Sequence, residues 1–228
     1  MVRLFDTDGL GAFNDVWKRR PMTSEMSAIL AKMDVLVIDL ETGGLDETTD
    51  ALLEIGFVIV ASGSVVDYGR IKVLPGAGLT VTDEALQVNR WTPDGAINEL
   101  SALTQFMEIV AVSASGRDIV YVPAGHVINF DMRFLTAALS RNGVSWPDDI
   151  IAGPYRAYEC GALAWTAGVG LSMRPRLDDL ATKLGVYSLY TEAMAAIPGG
   201  RHTGLYDAML AYLVLLESIY VIHGRSSR

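Results

Sequence analysis

The sequence predicts a single α/β domain built on a mixed sheet, and three features carry that prediction. Apolar runs with strand character come early, at 35–38, 52–60 and 65–73, the last two joined by a Ser62-Gly63-Ser64 turn that marks a hairpin. Another buried-type run at 118–122 is followed by Phe130, Phe134, Leu135, Ala138 and Leu139 at helical spacing. From there strand and helix patterns alternate. That order gives an antiparallel opening meander and a later strand that enters by a crossover.

Composition bounds the function. With 228 residues, half of them hydrophobic, the chain can bury a sizeable core within one large domain. Cys160 is the only cysteine, which excludes an internal disulfide and fits a reducing, cytoplasmic compartment. The first ten residues carry Arg3, Asp6 and Asp8 and do not read as a secretory leader. The longest apolar stretch, 208–222, is interrupted by Glu217; it is expected to be too short for a bilayer and to form a buried helix, with no membrane partner. A net charge of −9, from 18 basic and 27 acidic residues, points away from coating nucleic acid by phosphate neutralisation.

In chain order, residues 1–33 read as an N-terminal extension and 34–228 as the main domain. Lys18, Arg19 and Arg20 read as a solvated helix end before Pro21, and Thr23 or Ser24 is placed to cap a short helix through Ala31. Thr82 or Asp83 caps a helix through Val88, and 96–112 has helical spacing. Residues 154–159 suggest a short strand leading into a helix through Ala164. Leu177, Leu180, Ala181 and Leu184 line a small helix that stops at Gly185, with Asp178 and Asp179 in its first turn. Gly199, Gly200, Arg201 and His202 then precede a long apolar helix from about Leu205.

Chemistry concentrates in three segments. On the first strand, period-two alternation puts Asp39 and Glu41 on one face, ahead of Thr42, Gly43, Gly44 and Leu45. Two buried acids side by side are costly unless a cation sits between them, and hard divalent cations take oxygen ligands. The second segment runs from His126 through Val127, Ile128 and Asn129 to Asp131, where a helix is expected to begin. The third carries His202 on a loop and Asp207 in the first turns of the last helix.

DLETGG at 39–44, GHVINFDMRFL at 125–135 and RHTGLYDAMLA at 201–211 resemble, in order, the three motifs of the DEDDh (DnaQ-like) 3′-to-5′ exonucleases. That family includes polymerase proofreading subunits, ribonuclease T and oligoribonuclease. Further matches lie at 53–56, 84–89, 177–180 and 184–185.

The resemblance implies a ribonuclease H-like fold with a mixed five-stranded sheet flanked by helices. It implies a metal-dependent exonuclease that removes nucleoside 5′-monophosphates from a single-stranded 3′ end of DNA or RNA, using two divalent ions, Mg²⁺ or Mn²⁺. Asp39, Glu41 and Asp207 would hold the nucleophile-side ion, Asp39 would bridge to a second supported by Asp131, and His202 would be the general base. Thr42, Gly43, Gly44, Leu45, His126 and Asn129 would contact substrate, although His126 also reads as a structural histidine.

One departure stands out. Val127 occupies a position that is Asn in many members, so contacts around the second motif are expected to differ. Arg90, Trp91, Arg133, Arg174 and Arg176 read as surface residues open to phosphate or base contact, His223 as a helix-end residue and Cys160 as buried and inert. The competing reading is a proofreading-like binding subunit that works through a polymerase or other processing partner. Oligomeric state is left open, a dimer included.

Overall fold

The computed structural model describes residues 22–169, 175–195, 197 and 200–225. Lys18, Arg19, Arg20, Arg174 and Gly199 lie outside them. Strands β1 (Val35–Thr42), β2 (Leu52–Ala61) and β3 (Ser64–Leu74) form an antiparallel meander. Their Val and Ile content suits a pleated, half-buried surface. β2 is buried along its whole length, which is why it reads LLEIGFVIVA instead of alternating. Ser62 and Gly63, with φ of 50 and 75°, close the β2–β3 hairpin in the left-handed conformation that matches strand twist.

Three short strands complete the sheet: β4 (Ile97–Asn98), β5 (Val122–Gly125) and β6 (Tyr158–Glu159). The order is β4-β3-β2-β1-β5-β6, with β5 parallel to β1, β6 parallel to β5 and β4 parallel to β3. The sheet thus has six strands where five were expected. β4 is two residues long, too short for a period-two signature, and it was absorbed into the helix read over 96–112. That helix begins instead at Glu99, capped by Asn98, whose side chain accepts from the Ser101 amide at 2.9 Å.

The strand expected over 118–122 also moves. Tyr121 makes only an isolated bridge to Ile151, and the paired strand runs on through Pro123 and Gly125. Proline and glycine are poor strand formers and hid it. Gly125 is required by close packing, since a Cβ there would lie 2.7 Å from the Ile38 carbonyl oxygen.

The helices are α1 (Ser24–Leu30), α2 (Asp83–Asn89), α3 (Glu99–Ala114), α4 (Ile128–Arg141), α5 (Cys160–Thr166), α6 (Leu177–Lys183), α7 (Val186–Leu189), α8 (Thr191–Ala195) and α9 (Gly204–Arg225). They cover both faces of the sheet. Val35 and Val37 of β1 join the core shared with α1, α5, α6 and α9, while Leu36, Ile38 and Leu40 join the core shared with α3 and α4. Thr23 caps α1 and Thr82 caps α2, as expected. Met26, Leu30 and Met33, within the stretch read as an extension, pack into the α9 core.

Helix α9 corrects the length expectation for the last apolar stretch. Its Gly204–His223 portion, 20 residues, is long and apolar enough to cross a bilayer, but 72% of its most apolar window is buried inside the fold. Glu217 within it is buried and accepts a 2.6 Å hydrogen bond from the Tyr190 hydroxyl.

The first turn of α9 lies directly on the backbone of β1 and β2. A Cβ on Gly56 would fall 1.9 Å from the Gly204 carbonyl carbon, and one on Gly204 would fall 2.7 Å from the Asp39 carbonyl oxygen. Both neighbours are backbone and cannot swing aside. Gly56→Ala is expected to destabilise the protein by about 3 kcal/mol. For a chain of this size that lowers Tm by roughly 6–12 °C, and a melting curve within about 2 °C of wild type would contradict this backbone contact.

Candidate active site

Asp39 and Glu41 leave β1 on the same face, and α9 delivers Asp207 from its first turn. One carboxylate oxygen from each of the three lies within 4.8 Å of the others. Burial raises all three above the ordinary carboxylate range. Asp39 is raised well above the usual carboxylate range by burial, then by the charges of Asp131, Asp207, Glu41 and Glu54. Burial, followed by the charge of Asp207, pushes Glu41 up to about 8. Asp207 rises to about 6 through burial, opposed by the nearby His202.

Asp131 comes from the first turn of α4, which begins at Ile128, three residues before the expected start. It is buried, its Oδ1 accepts from the Leu40 amide at 2.8 Å, and burial pushes its carboxyl up to about 8. With one oxygen committed to β1, Asp131 stands outside the three-carboxylate group. Its charge nonetheless raises Asp39 more than any other neighbour's does.

The start of α4 is unusual. Val127 sits at φ 57°, ψ 34°, a left-handed conformation that β-branched residues avoid, and its side chain gives the helix no cap. Glu159 of β6 supplies the missing acceptor: Oε2 takes the Ile128 amide at 3.1 Å and Oε1 takes the Gly161 amide at 3.0 Å. His126 places Nδ1 3.6 Å from Glu159 Oε1, and burial lowers its pKa. Asn129 is exposed on α4.

His202 is exposed on the loop before α9, with φ 62°. Thr203 fixes this loop, its hydroxyl donating to the Gly200 carbonyl at 2.9 Å and accepting from the Tyr206 amide at 3.3 Å. Arg201 pairs with Asp178, which also accepts from the Tyr187 hydroxyl. Glu41, Glu54 and His202 line one cleft of about 170 Å³, whose wall carries Arg70, Lys72, Arg90 and Arg201 together with Asn89 and Trp91.

The Gly43-Gly44 turn has an intramolecular explanation. A Cβ on Gly43 would fall 2.4 Å from the Thr80 carbonyl oxygen, and one on Gly44 would fall 2.1 Å from Asp50 Oδ2. Gly43 donates to the Ala51 carbonyl at 2.7 Å and accepts from the Thr82 amide at 2.8 Å. The Thr42 hydroxyl donates to the Gly44 carbonyl at 2.7 Å, and Asn89 Nδ2 donates to the Thr42 carbonyl at 3.3 Å. These bonds tie α2 to the end of β1. Leu45 is left 81% exposed on one segment and Val88 64% exposed on the other.

An exonuclease family model, RNase_T, matches residues 36–215. The chain belongs to the DEDDh 3′-to-5′ exonuclease family. Ribonuclease T of Escherichia coli K12 is 32% identical over 195 residues, covering 81% of this chain and 83% of the relative, and ribonuclease T of Shigella flexneri matches to the same extent. Among solved structures, E. coli exonuclease I in complex with a dA16 oligonucleotide aligns with TM-score 0.59 at 14% identity, over 86% of this chain and 43% of that one. A 3′-exonuclease described in 3′-end-specific recognition of histone mRNA stem-loop aligns with TM-score 0.62 at 14% identity, over 91% of this chain and 68% of that one. These structures share the ribonuclease H-like fold. The chain spans less than half the length of exonuclease I.

The family is divalent-metal dependent, and in this exonuclease the oxygen-only donor set of Asp39, Glu41 and Asp207 suits a hard divalent cation. Other residues placed around the site carried no role in the sequence reading. Glu54 was detectable as the lone charge in the most apolar strand, and directly opposite Glu41 in register. Glu159 had no such signal, because its partners are backbone amides on two separate helices. Of the surface candidates, Arg90 lines the cleft, Trp91 Nε1 donates to the Leu53 carbonyl at 2.8 Å, and Arg133 pairs with Glu47 at 3.1 Å. His223 faces Glu25 at 3.5 Å. Cys160 is buried, its thiol donating to the Ala211 carbonyl at 3.4 Å.

Two measurements test this geometry. The raised carboxyls bind protons more tightly folded than unfolded, so stability falls as pH climbs from the ordinary values of 3.8 and 4.5 through about 8. Metal-free protein should therefore melt lower at about pH 8 than at about pH 5, with Mg²⁺ or Mn²⁺ raising Tm more at the higher pH. A metal-free Tm that rises over this interval and ignores both ions would count against the cluster. Separately, Val127→Asn should stabilise the fold by about 1 kcal/mol, or roughly 2–4 °C in Tm, because Asn tolerates the left-handed conformation.

Proposed function

We propose that this exonuclease hydrolyses the last phosphodiester of a single-stranded 3′ end, releasing nucleoside 5′-monophosphates, with His202 as general base. The observation that carries the reading is the three-carboxylate group whose member Glu41 lines one cleft with the exposed His202. Asp39, Glu41 and Asp207 would hold one divalent cation, Mg²⁺ or Mn²⁺, and Asp39 with Asp131 a second. When bound, such cations supply neutralisation of the phosphoryl and leaving oxygens.

The chain's own residues do the rest. The left-handed turn at His202 takes the imidazole out of α9 and into the cleft beside Glu41, where it accepts a proton from the attacking water. Leu45 and Val88, exposed on segments bonded to each other, offer an apolar rest for the terminal base without choosing its identity. Gly43, Gly44 and Thr42 shape that rest, and His126, just before α4, and Asn129, in its first turn, are proposed as further substrate contacts. Arg70, Lys72, Arg90 and Arg201 give a chain of net charge −9 a local cationic wall for phosphates.

RNA is proposed as the first substrate, because the relatives that match most of this chain are ribonucleases by name. The lone buried Cys160 thiol, pushed upward by its surroundings, suits a reducing cytoplasmic setting.

The test uses matched RNA and DNA oligonucleotides, labelled at either end, with Mg²⁺ or Mn²⁺. The 3′ label should appear at once as mononucleotide while the 5′-labelled strand shortens stepwise. His202→Ala should lower kcat by about 10²–10⁴-fold. Endonucleolytic products, or full activity in His202→Ala, would overturn the mechanism.

A further inference from the structure

Strand β2 is buried from end to end and contains a single ionisable side chain, Glu54, which is 3% exposed. A carboxylate in that position is unfavourable twice over. It is removed from water, and it faces Glu41 directly across the β1–β2 ladder. Compensation comes from two partners. Glu54 Oε1 accepts from the Gly204 amide at 2.9 Å, and Oε2 lies 3.6 Å from Arg70 Nη1.

Gly204 is the first residue of α9 and lies between His202 and Asp207 in the chain. Its amide is one of the helix N-terminal donors that have no partner within the helix, and a carboxylate at that end is favoured by the helix dipole. Gly204 also rests on the Asp39 carbonyl oxygen and the Gly56 amide, with no room for a Cβ. The segment bearing His202 and Asp207 is therefore pressed onto β1 and β2 at Gly204 and bonded there by Glu54.

We infer that Glu54 is a positioning residue: through the Gly204 amide it sets His202 and Asp207 against Asp39 and Glu41, while Arg70 offsets its charge. The inference rests on the roles proposed for His202 and Asp207. Glu54 acts through the backbone, since the oxygen nearest α9 is already taken by Gly204 and the residue stands outside the three-carboxylate group.

Substitutions separate hydrogen bonding from charge. Glu54→Gln keeps an oxygen for the Gly204 amide and loses the ion pair, Glu54→Ala loses both, and Arg70→Ala removes the ion pair together with one cation of the cleft wall, so it is read by Gly204 exchange and not by kcat. Exonuclease kinetics and hydrogen exchange at the Gly204 amide are read together on metal-free and Mn²⁺-loaded protein. Glu54→Ala should lower kcat by about 10–100-fold with KM little changed. It should also speed Gly204 exchange by about tenfold. Glu54→Gln should recover most of kcat and retain protection. If Glu54→Ala does not fold, Glu54→Gln and Arg70→Ala carry the test, both expected to keep Gly204 protected.

Wild-type kcat in Glu54→Ala would overturn the inference, as would loss of activity in Glu54→Gln with Gly204 still protected. Full activity in His202→Ala and Asp207→Asn, measured alongside, would instead overturn the roles on which it rests.

Discussion

Asp39, Glu41 and Asp207 bring carboxylate oxygens to within 4.8 Å of one another, and ionised groups at that spacing repel by about 3–4 kcal/mol per pair at an effective dielectric of 20. Nothing local to β1 could hold such a group together. The fold does it with backbone: α9 is seated on β1 and β2 through Gly56 and Gly204, and α4 is pinned to β1 by the bond from the Leu40 amide to Asp131. Each uses atoms that cannot rotate away. The fully buried β2 strand beneath them, packed on both faces, makes the platform stiff.

Backbone strain follows the same geography. Outside glycine, left-handed residues occur at Ser62, Arg90, Val127 and His202 among the described residues. Ser62 belongs to a hairpin turn. The other three lie at or near the site: Arg90 and His202 line the cleft, and Val127 opens the helix that carries Asp131. Strained conformations of this kind persist where surrounding structure over-determines them. At Val127 the surrounding structure is Glu159, capping two helices from the edge of the sheet.

Much of this was legible in the residues. Alternation put Asp39 and Glu41 on one face, the hairpin and the caps at Thr23 and Thr82 followed from local rules, and Asp207 sits in the first turns of α9 as read. What local rules missed was set by partners distant in the chain. β4 exists only because β3 pairs with it, β5 only because β1 accepts a proline-containing neighbour, and Asp131 bonds to β1 only after a crossover. The glycines at 43 and 44 illustrate the same limit. Their need is visible, but its cause, the Thr80 carbonyl and the Asp50 side chain, is a contact between loops.

The cationic wall bears on how a strand arrives. With 27 acidic and 18 basic residues in the chain, Arg70, Lys72, Arg90 and Arg201 gather at one cleft, beside Glu41 and Glu54. In an acidic chain, such a local concentration of cations favours an approach of a polyanion from that side. Binding of this kind suits an end that must be threaded over a segment that could be bound anywhere along its length. Under the proposed reading, selectivity for termini begins in the placement of charge, ahead of the chemistry.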